Sequence, residues 1–170
     1  MIKTDDNNYH ASNILIEKEL KEVIENLKRK GKTIGLCAGS FDLLHPGHMT
    51  HLNSAKKICD VLVVGIARDL YNSQKNDKKG RPVFSEKVRA FWVSQMKSVD
   101  FVVINEDTQA IINLISPQML IVGPDYKNNI NPRMAAEKKL LESKGGKLVF
   151  TRNELLSTTA IINYIKNEIK

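Results

Sequence analysis

Between residues 12 and 30, Ile14, Leu15, Leu20, Val23, Ile24 and Leu27 recur at helical spacing among charged neighbours. That is the period of a helix with one buried face, and Gly31 ends it. The pattern then changes. "KTIGLCAG" and "VLVVGIA" are short, nearly unbroken apolar runs, as strands covered on both faces are. "DFVVI", "MLIVG" and "KLVFT" make three more. Helical spacing fills residues 46–58, 84–97, 108–115, 132–144 and 157–169, with Ser116-Pro117 and Gly145-Gly146 as stops. Strands alternating with helices predict one α/β domain, a Rossmann-like doubly wound sheet of about five parallel strands with helices on both faces. The domain spans residues 13–170, with 13–30 as a helix ahead of the core and 1–12 as a flexible tail without periodicity. The polar segment "YNSQKNDKKG", residues 71–80, reads as a mobile loop. There is no internal repeat.

Open sheets of this kind bind ligands beyond the carboxyl ends of their strands. Chemistry is therefore expected in residues 39–48, 67–81, 105–108, 123–128 and 151–159. The first of these reads "GSFDLLHPGH" and holds two of the chain's four histidines. Pro46 fits the first position of a helix, where a missing N–H is harmless. His45 then falls at the N-cap and His48 in the first turn, beside free N–H groups and partial positive charge that attract phosphate. Gly39 and Gly47 let backbone and ligand approach closely. The pattern fits a polyphosphate clamp. Two further readings stay open: surface histidines at a helix start, or a metal site including His51, although no acidic or cysteine ligand stands nearby at zinc spacing.

Charge narrows the partner. Among 170 residues, 26 Lys and Arg outnumber 19 Asp and Glu, a net charge of +7, which favours anions. Aromatics are sparse, and the lysines are scattered apart from Lys78, Lys79 and Arg81, so small phosphates are expected rather than nucleic acid. Cys37 and Cys59 make no disulfide framework. No run is long enough to cross a bilayer and none resembles a signal peptide, so a cytoplasmic protein with no membrane partner is expected.

"GSFDLLHPGH", with His45-Pro46-Gly47-His48, resembles the H-x-G-H signature of the cytidylyltransferase-like nucleotidyltransferases. "LLSTTAII", residues 155–162, resembles their second signature. "GRPVFSEKVRA", "LIVGPDYKN" and "ESKGGKLVF" are similar to the nucleotidyltransferase domain of ADP-heptose synthases, over residues 14–169. The chain is also similar to glycerol-3-phosphate cytidylyltransferases, in which an arginine precedes the S-T-T as Arg152 does. The resemblance implies attack of a substrate phosphate on the α-phosphorus of a nucleoside triphosphate, with release of pyrophosphate. It implies ATP and a heptose 1-phosphate first, and CTP with glycerol phosphate or a related polyol phosphate second. It also implies a Mg2+ ion carried mainly by the triphosphate, a homodimer, and a sugar kinase in the same pathway. A non-catalytic nucleotide-binding regulator is the alternative from another class.

Residue by residue, the resemblance implies that His45 and His48 meet the triphosphate and the charge developing on pyrophosphate. Lys56 lies two turns further on, as a catalytic or merely solvated lysine. Arg89 matches a phosphate-binding arginine; the alternative is a surface arginine. Ser40 and Phe41 belong to the nucleotide-binding turn, and Asp42 either orients the acceptor or caps the helix. Gly123, Asp125 and Tyr126 of "GPDY" lie over the nucleotide, which Arg152 also faces. Ser157, Thr158 and Thr159 offer hydroxyls and N–H groups to the β- and γ-phosphates, or form an ordinary cap. Arg81 and Lys127 are candidates for the acceptor phosphate, and no protein ligands to a metal are expected.

Overall fold

The computed structural model describes residues 1–70, 81–127, 130–152 and 158–169. Residues 71–80 therefore lie outside the described residues, as does Ser157. Within them, five strands form one parallel sheet: β1 (Ile34–Gly39), β2 (Val61–Ala67), β3 (Phe101–Asn105), β4 (Met119–Val122) and β5 (Lys147–Phe150). Their order is β3-β2-β1-β4-β5. The helices are α1 (Glu17–Arg29), α2 (Pro46–Lys56), α3 (Glu86–Ser94), α4 (Thr108–Ile115), α5 (Pro132–Ser143) and α6 (Thr158–Glu168). The expected alternation is thus realised, with boundaries within a few residues.

Strand alternation sorts the core into two layers. Cys37, Leu62, Val64 and Ile66 face α2 and α3, packing on Leu52, Ala55, Ala90 and Val93. Ile34, Leu36, Val61 and Val63 face the other way, onto Leu20 and Ile24 of α1, Ile111 and Ile112 of α4, and Leu141 of α5. Burial on both faces is why these strands read as unbroken apolar runs. Gly65 is required by close packing, since a Cβ there would stand 2.2 Å from Ile111 Cδ1. Helix starts follow local chemistry: the side chains of Ser85, Asp107 and Asn131 accept from the N–H groups of Val88, Ala110 and Met134. At the far end of α4, Ser116 turns left-handed and Lys28 Nζ donates to the carbonyls of Ile115 and Ser116 at 2.6 and 2.5 Å.

Two expectations at the N-terminus are corrected. The first helix begins at Glu17, not residue 13. Residues 13–15 instead run beside β3: Val102 N donates to Asn13 O at 2.8 Å and Leu15 N to Val102 O at 2.9 Å. Residues 1–12 are not a frayed tail either. They carry a short 3-10 turn, Asp6–Asn8, Ser85 Oγ donates to Asp6 Oδ1 at 2.8 Å, and the ring of Tyr9 meets Phe91 edge-on at 5.6 Å.

From β3 the chain returns to pair β4 with the opposite side of β1. The topological switch point is therefore between β1 and β4, the place where open α/β sheets take their ligands.

Candidate active site

The turn after β1 and the start of α2 form one side of that crevice. His45 is the N-cap of α2 in extended conformation, and Pro46 is its first residue. His48 N donates to His45 O at 2.9 Å, which folds the two imidazoles onto each other. The rings stack at 3.8 Å with 26° between their planes. Phe41 flanks the pair, 5.1 Å from the ring of His48. His45 is only 5 % exposed, and the Nδ1 atoms of both histidines are buried without a hydrogen-bond partner. Burial lowers the pKa of both; that of His48 is pushed down to about 4, with the neighbouring histidines adding to the effect. Both are neutral at physiological pH. Each neutral imidazole carries one N–H and no positive charge of its own, and a backbone hydrogen bond to Leu43 partly offsets the lowering at His48. A triphosphate would supply the charge that balances protonation, and it would favour the cationic form once bound.

Phe41 has φ 49°, the left-handed region that costs a non-glycine residue about 1–2 kcal/mol. Its ring lies in the core and is 5 % exposed. Its ring therefore backs His48, and any part of Phe41 in the nucleotide-binding turn falls to its backbone. Gly39 is needed beneath it, since a Cβ there would stand 3.2 Å from Phe41 Cε2.

Asp42, 4 % exposed, is held from the next loop. Val83 N donates to its Oδ1 at 2.5 Å and Arg81 Nε to its Oδ2 at 2.8 Å. It is not a helix cap, because the α2 N-cap is His45. Arg89 differs more from expectation. It is fully buried, Nε donates to Phe84 O at 3.0 Å, and its Nη atoms donate to Ser40 O, to Ala67 O at 2.8 Å and to Asp69 Oδ1 at 2.7 Å. Neither an exposed surface arginine nor an open phosphate ligand, it ties the ends of β1 and β2 to α3. Lys56 is also corrected. At the last turn of α2 it donates to Asp60 O at 2.5 Å and Asp100 Oδ2 at 2.6 Å. Those acceptors precede β2 and β3, at the edge of the sheet opposite the histidines, because two turns of helix carry the chain across the sheet.

The other side of the crevice is made by the ends of β4 and β5. Gly123 leads into the short turn Pro124–Tyr126, which holds Asp125; Tyr126 is 39 % exposed. Lys127 follows it and is exposed, as is Arg152 beyond β5. Thr158 and Thr159 open α6, half-buried and exposed respectively. Gly47 lies in the first turn of α2, where its carbonyl accepts from Thr50 Oγ1 at 3.1 Å. The two sides are joined by residues that sequence reasoning gave no role in the clamp. His51, one turn beyond His48, has Nδ1 2.9 Å from Thr151 Oγ1, and Thr151 immediately follows β5. Asp69 is a second omission. Its only signal was its position just past an apolar strand. Among the described residues, no three His, Cys, Asp or Glu side chains gather as a metal site.

The sequence model of one family, described as Cytidylyltransferase-like, matches residues 36–164. The chain belongs to the cytidylyltransferase-like family. Both expected signatures, at His45 and at Thr158, fall inside that match. Among relatives of this cytidylyltransferase-like chain, the bifunctional protein HldE of Paramagnetospirillum magneticum is 42 % identical over 147 residues, covering 85 % of this chain and 29 % of that protein. The bifunctional protein HldE of Helicobacter pylori strain J99 is 39 % identical over 152 residues, covering 86 % and 30 %. The chain thus spans under a third of the length of these relatives. The solved structure of the lipopolysaccharide core biosynthesis protein from Thermoplasma volcanium is 28 % identical with a TM-score of 0.61, covering 74 % of this chain and 100 % of that one.

Proposed function

We propose that this cytidylyltransferase-like chain moves a nucleoside monophosphate from a nucleoside triphosphate to a phosphorylated sugar. A heptose 1-phosphate as acceptor and ATP as donor are our first reading. An acceptor phosphate oxygen attacks the α-phosphorus; the bond from that phosphorus to the bridging oxygen breaks, and pyrophosphate leaves with the electron pair. The nucleophile is already an anion, so positioning and charge stabilisation do the work. The observation that carries this reading is the stacked, neutral imidazole pair at the start of α2, with two buried Nδ1 atoms lacking partners. His45 and His48 would donate to the triphosphate as negative charge grows on the departing oxygens. Gly47, the N–H groups at the starts of α2 and α6, Thr158 and Thr159 would cradle the phosphates. Ser40, Gly123, Asp125, Tyr126 and Arg152 would border the nucleotide. Arg81, fastened by Asp42, and Lys127 would receive the acceptor phosphate.

The family chemistry implies Mg2+. The described residues offer it no cluster of carboxylates, and Asp42 is already bonded through both oxygens. That donor set fits an ion carried on phosphate oxygens and water, where it would neutralise the triphosphate. A homodimer, and a kinase that supplies the phosphorylated acceptor, complete the reading. For location, the structure bears on one point: among the described residues no helix is long and apolar enough to cross a membrane.

The test is pyrophosphate release with each nucleoside triphosphate, Mg2+ and a panel of sugar and polyol phosphates. ATP with a heptose 1-phosphate is expected to be fastest. Preference for CTP with a polyol phosphate would overturn the first reading of base and acceptor, and no release with any acceptor would overturn the transferase reading. His48→Ala is expected to lower kcat about a hundredfold with a smaller change in triphosphate affinity.

A further inference from the structure

The N-terminal segment that the sequence marked as a loose tail is bonded to the 81–85 loop and rests on the helix that follows. Ile2 N donates to Val83 O at 2.7 Å. Four residues on, Ser85 Oγ donates to Asp6 Oδ1 at 2.8 Å, and Thr4 Oγ1 holds the same Asp6 oxygen at 3.0 Å. Asp5 caps the 3-10 turn by accepting from Asn7 N at 3.1 Å, and Tyr9 rests on Phe91 of α3.

That loop carries the groups nearest the turn after β1. Val83 presents its carbonyl to Ile2 and its N–H to Asp42 Oδ1. Arg81 pairs with the other oxygen of Asp42. Ser85 begins α3, whose Arg89 holds the carbonyl of Ser40. The first nine residues therefore grip a loop whose opposite edge grips the candidate site. A short loop held on one side only would sample other arrangements; fastening both sides leaves Arg81 in one place, which lowers the entropy lost when a ligand binds it.

We propose that residues 2–9 are a strap that fixes the 81–85 loop, and through it the Asp42–Arg81 pair, so that Arg81 is preset to receive the acceptor phosphate. The strap is a positioning element and touches no substrate. Only the kinetic half of its test rests on the nucleotidyl-transfer reading.

Two variants of the full chain separate the strap from general stability. Asp6→Ala removes the contact to Ser85 while leaving Ser85 its cap on Val88, and Asp6→Asn keeps an acceptor oxygen. Deletion of residues 2–9 removes the strap whole. Hydrogen exchange of the Val83 amide reads the loop without any substrate, and is expected to quicken on the order of tenfold in Asp6→Ala and in the deletion. Acrylamide quenching of Trp92, the only tryptophan, reads the same loop, because Phe84 packs edge-on against it at 4.7 Å. Quenching is expected to increase. In the pyrophosphate assay, the KM for the acceptor is expected to rise about tenfold, with kcat and the KM for the triphosphate changed less. Asp6→Asn is expected to restore both exchange and KM. Unchanged Val83 exchange in the deletion variant would overturn the strap. Faster exchange with an unchanged acceptor KM would overturn its link to the site. If the unaltered chain releases no pyrophosphate, the transferase reading falls separately, and exchange alone decides the strap.

Discussion

At the scale of single residues, the histidine pair shows how burial sets chemistry. The folded pKa of His48, about 4, lies below the 6.5 of an ordinary histidine, so the native state binds a proton less readily than the unfolded chain. Its contribution to stability is complete above about pH 6.5 and is lost as pH falls toward 4. His45 shifts in the same direction. The melting temperature is therefore expected to fall across that window. In His48→Gln the fall should be shallower by a few degrees, with thermal melts at half-unit pH steps as the check. Carboxylates titrate in the same range in both proteins, so the difference between the two curves isolates the imidazole. Identical curves would remove His48 from that account. The pair was legible in the sequence because Pro46 and Gly47 mark a helix start and fix which residues precede it. Its neutrality was not, because stacking and burial arise only when Phe41 packs behind the rings.

At the scale of elements, strand and helix identity was legible almost throughout, since an apolar run or a three-to-four period is a local property. What the sequence hid is set by distant partners. Asp6 and Ser85 are 79 residues apart, and no local pattern announces a bond across that interval. Arg89 is the sharper case. Its place on an amphipathic helix suggested an exposed or phosphate-facing guanidinium. Its fork instead spans four acceptors on three segments, so it joins α3 to the ends of β1 and β2. A lysine keeps the charge but cannot present that many donors in fixed directions. Arg89→Lys is expected to lose about 2–3 kcal/mol of unfolding free energy, measured by urea denaturation. It should also slow pyrophosphate release, because the Ser40 carbonyl at the site is released. A variant with wild-type stability would show that the fork is dispensable.

At the scale of the whole molecule, a parallel sheet gives the site its unity. β1 and β5 are separated by β4, yet all carboxyl ends point one way, so segments far apart in sequence meet along one rim. Two signatures in the right order carried the expectation of a shared rim. The means of holding them together could not be read, because it is a contact between the flank of α2 and the end of β5. His51 Nδ1 lies 2.9 Å from Thr151 Oγ1, and that hydroxyl is 3.3 Å from Val122 O at the end of β4. The hydroxyl can donate to one carbonyl while accepting from the imidazole, so a protonated Nδ1 completes a chain from α2 through β5 to β4. Because α2 carries His45 and His48, a shift of α2 against β5 would carry the imidazoles away from the ends of β4 and β5. Positioning losses of that kind act on rate more than on fold. His51→Ala is expected to reduce kcat/KM for the triphosphate about tenfold while changing the melting temperature little. His51→Asn, whose amide can donate to Thr151, should recover most of the loss. If His51→Ala keeps full kcat/KM, the two sides of the crevice do not depend on this bond.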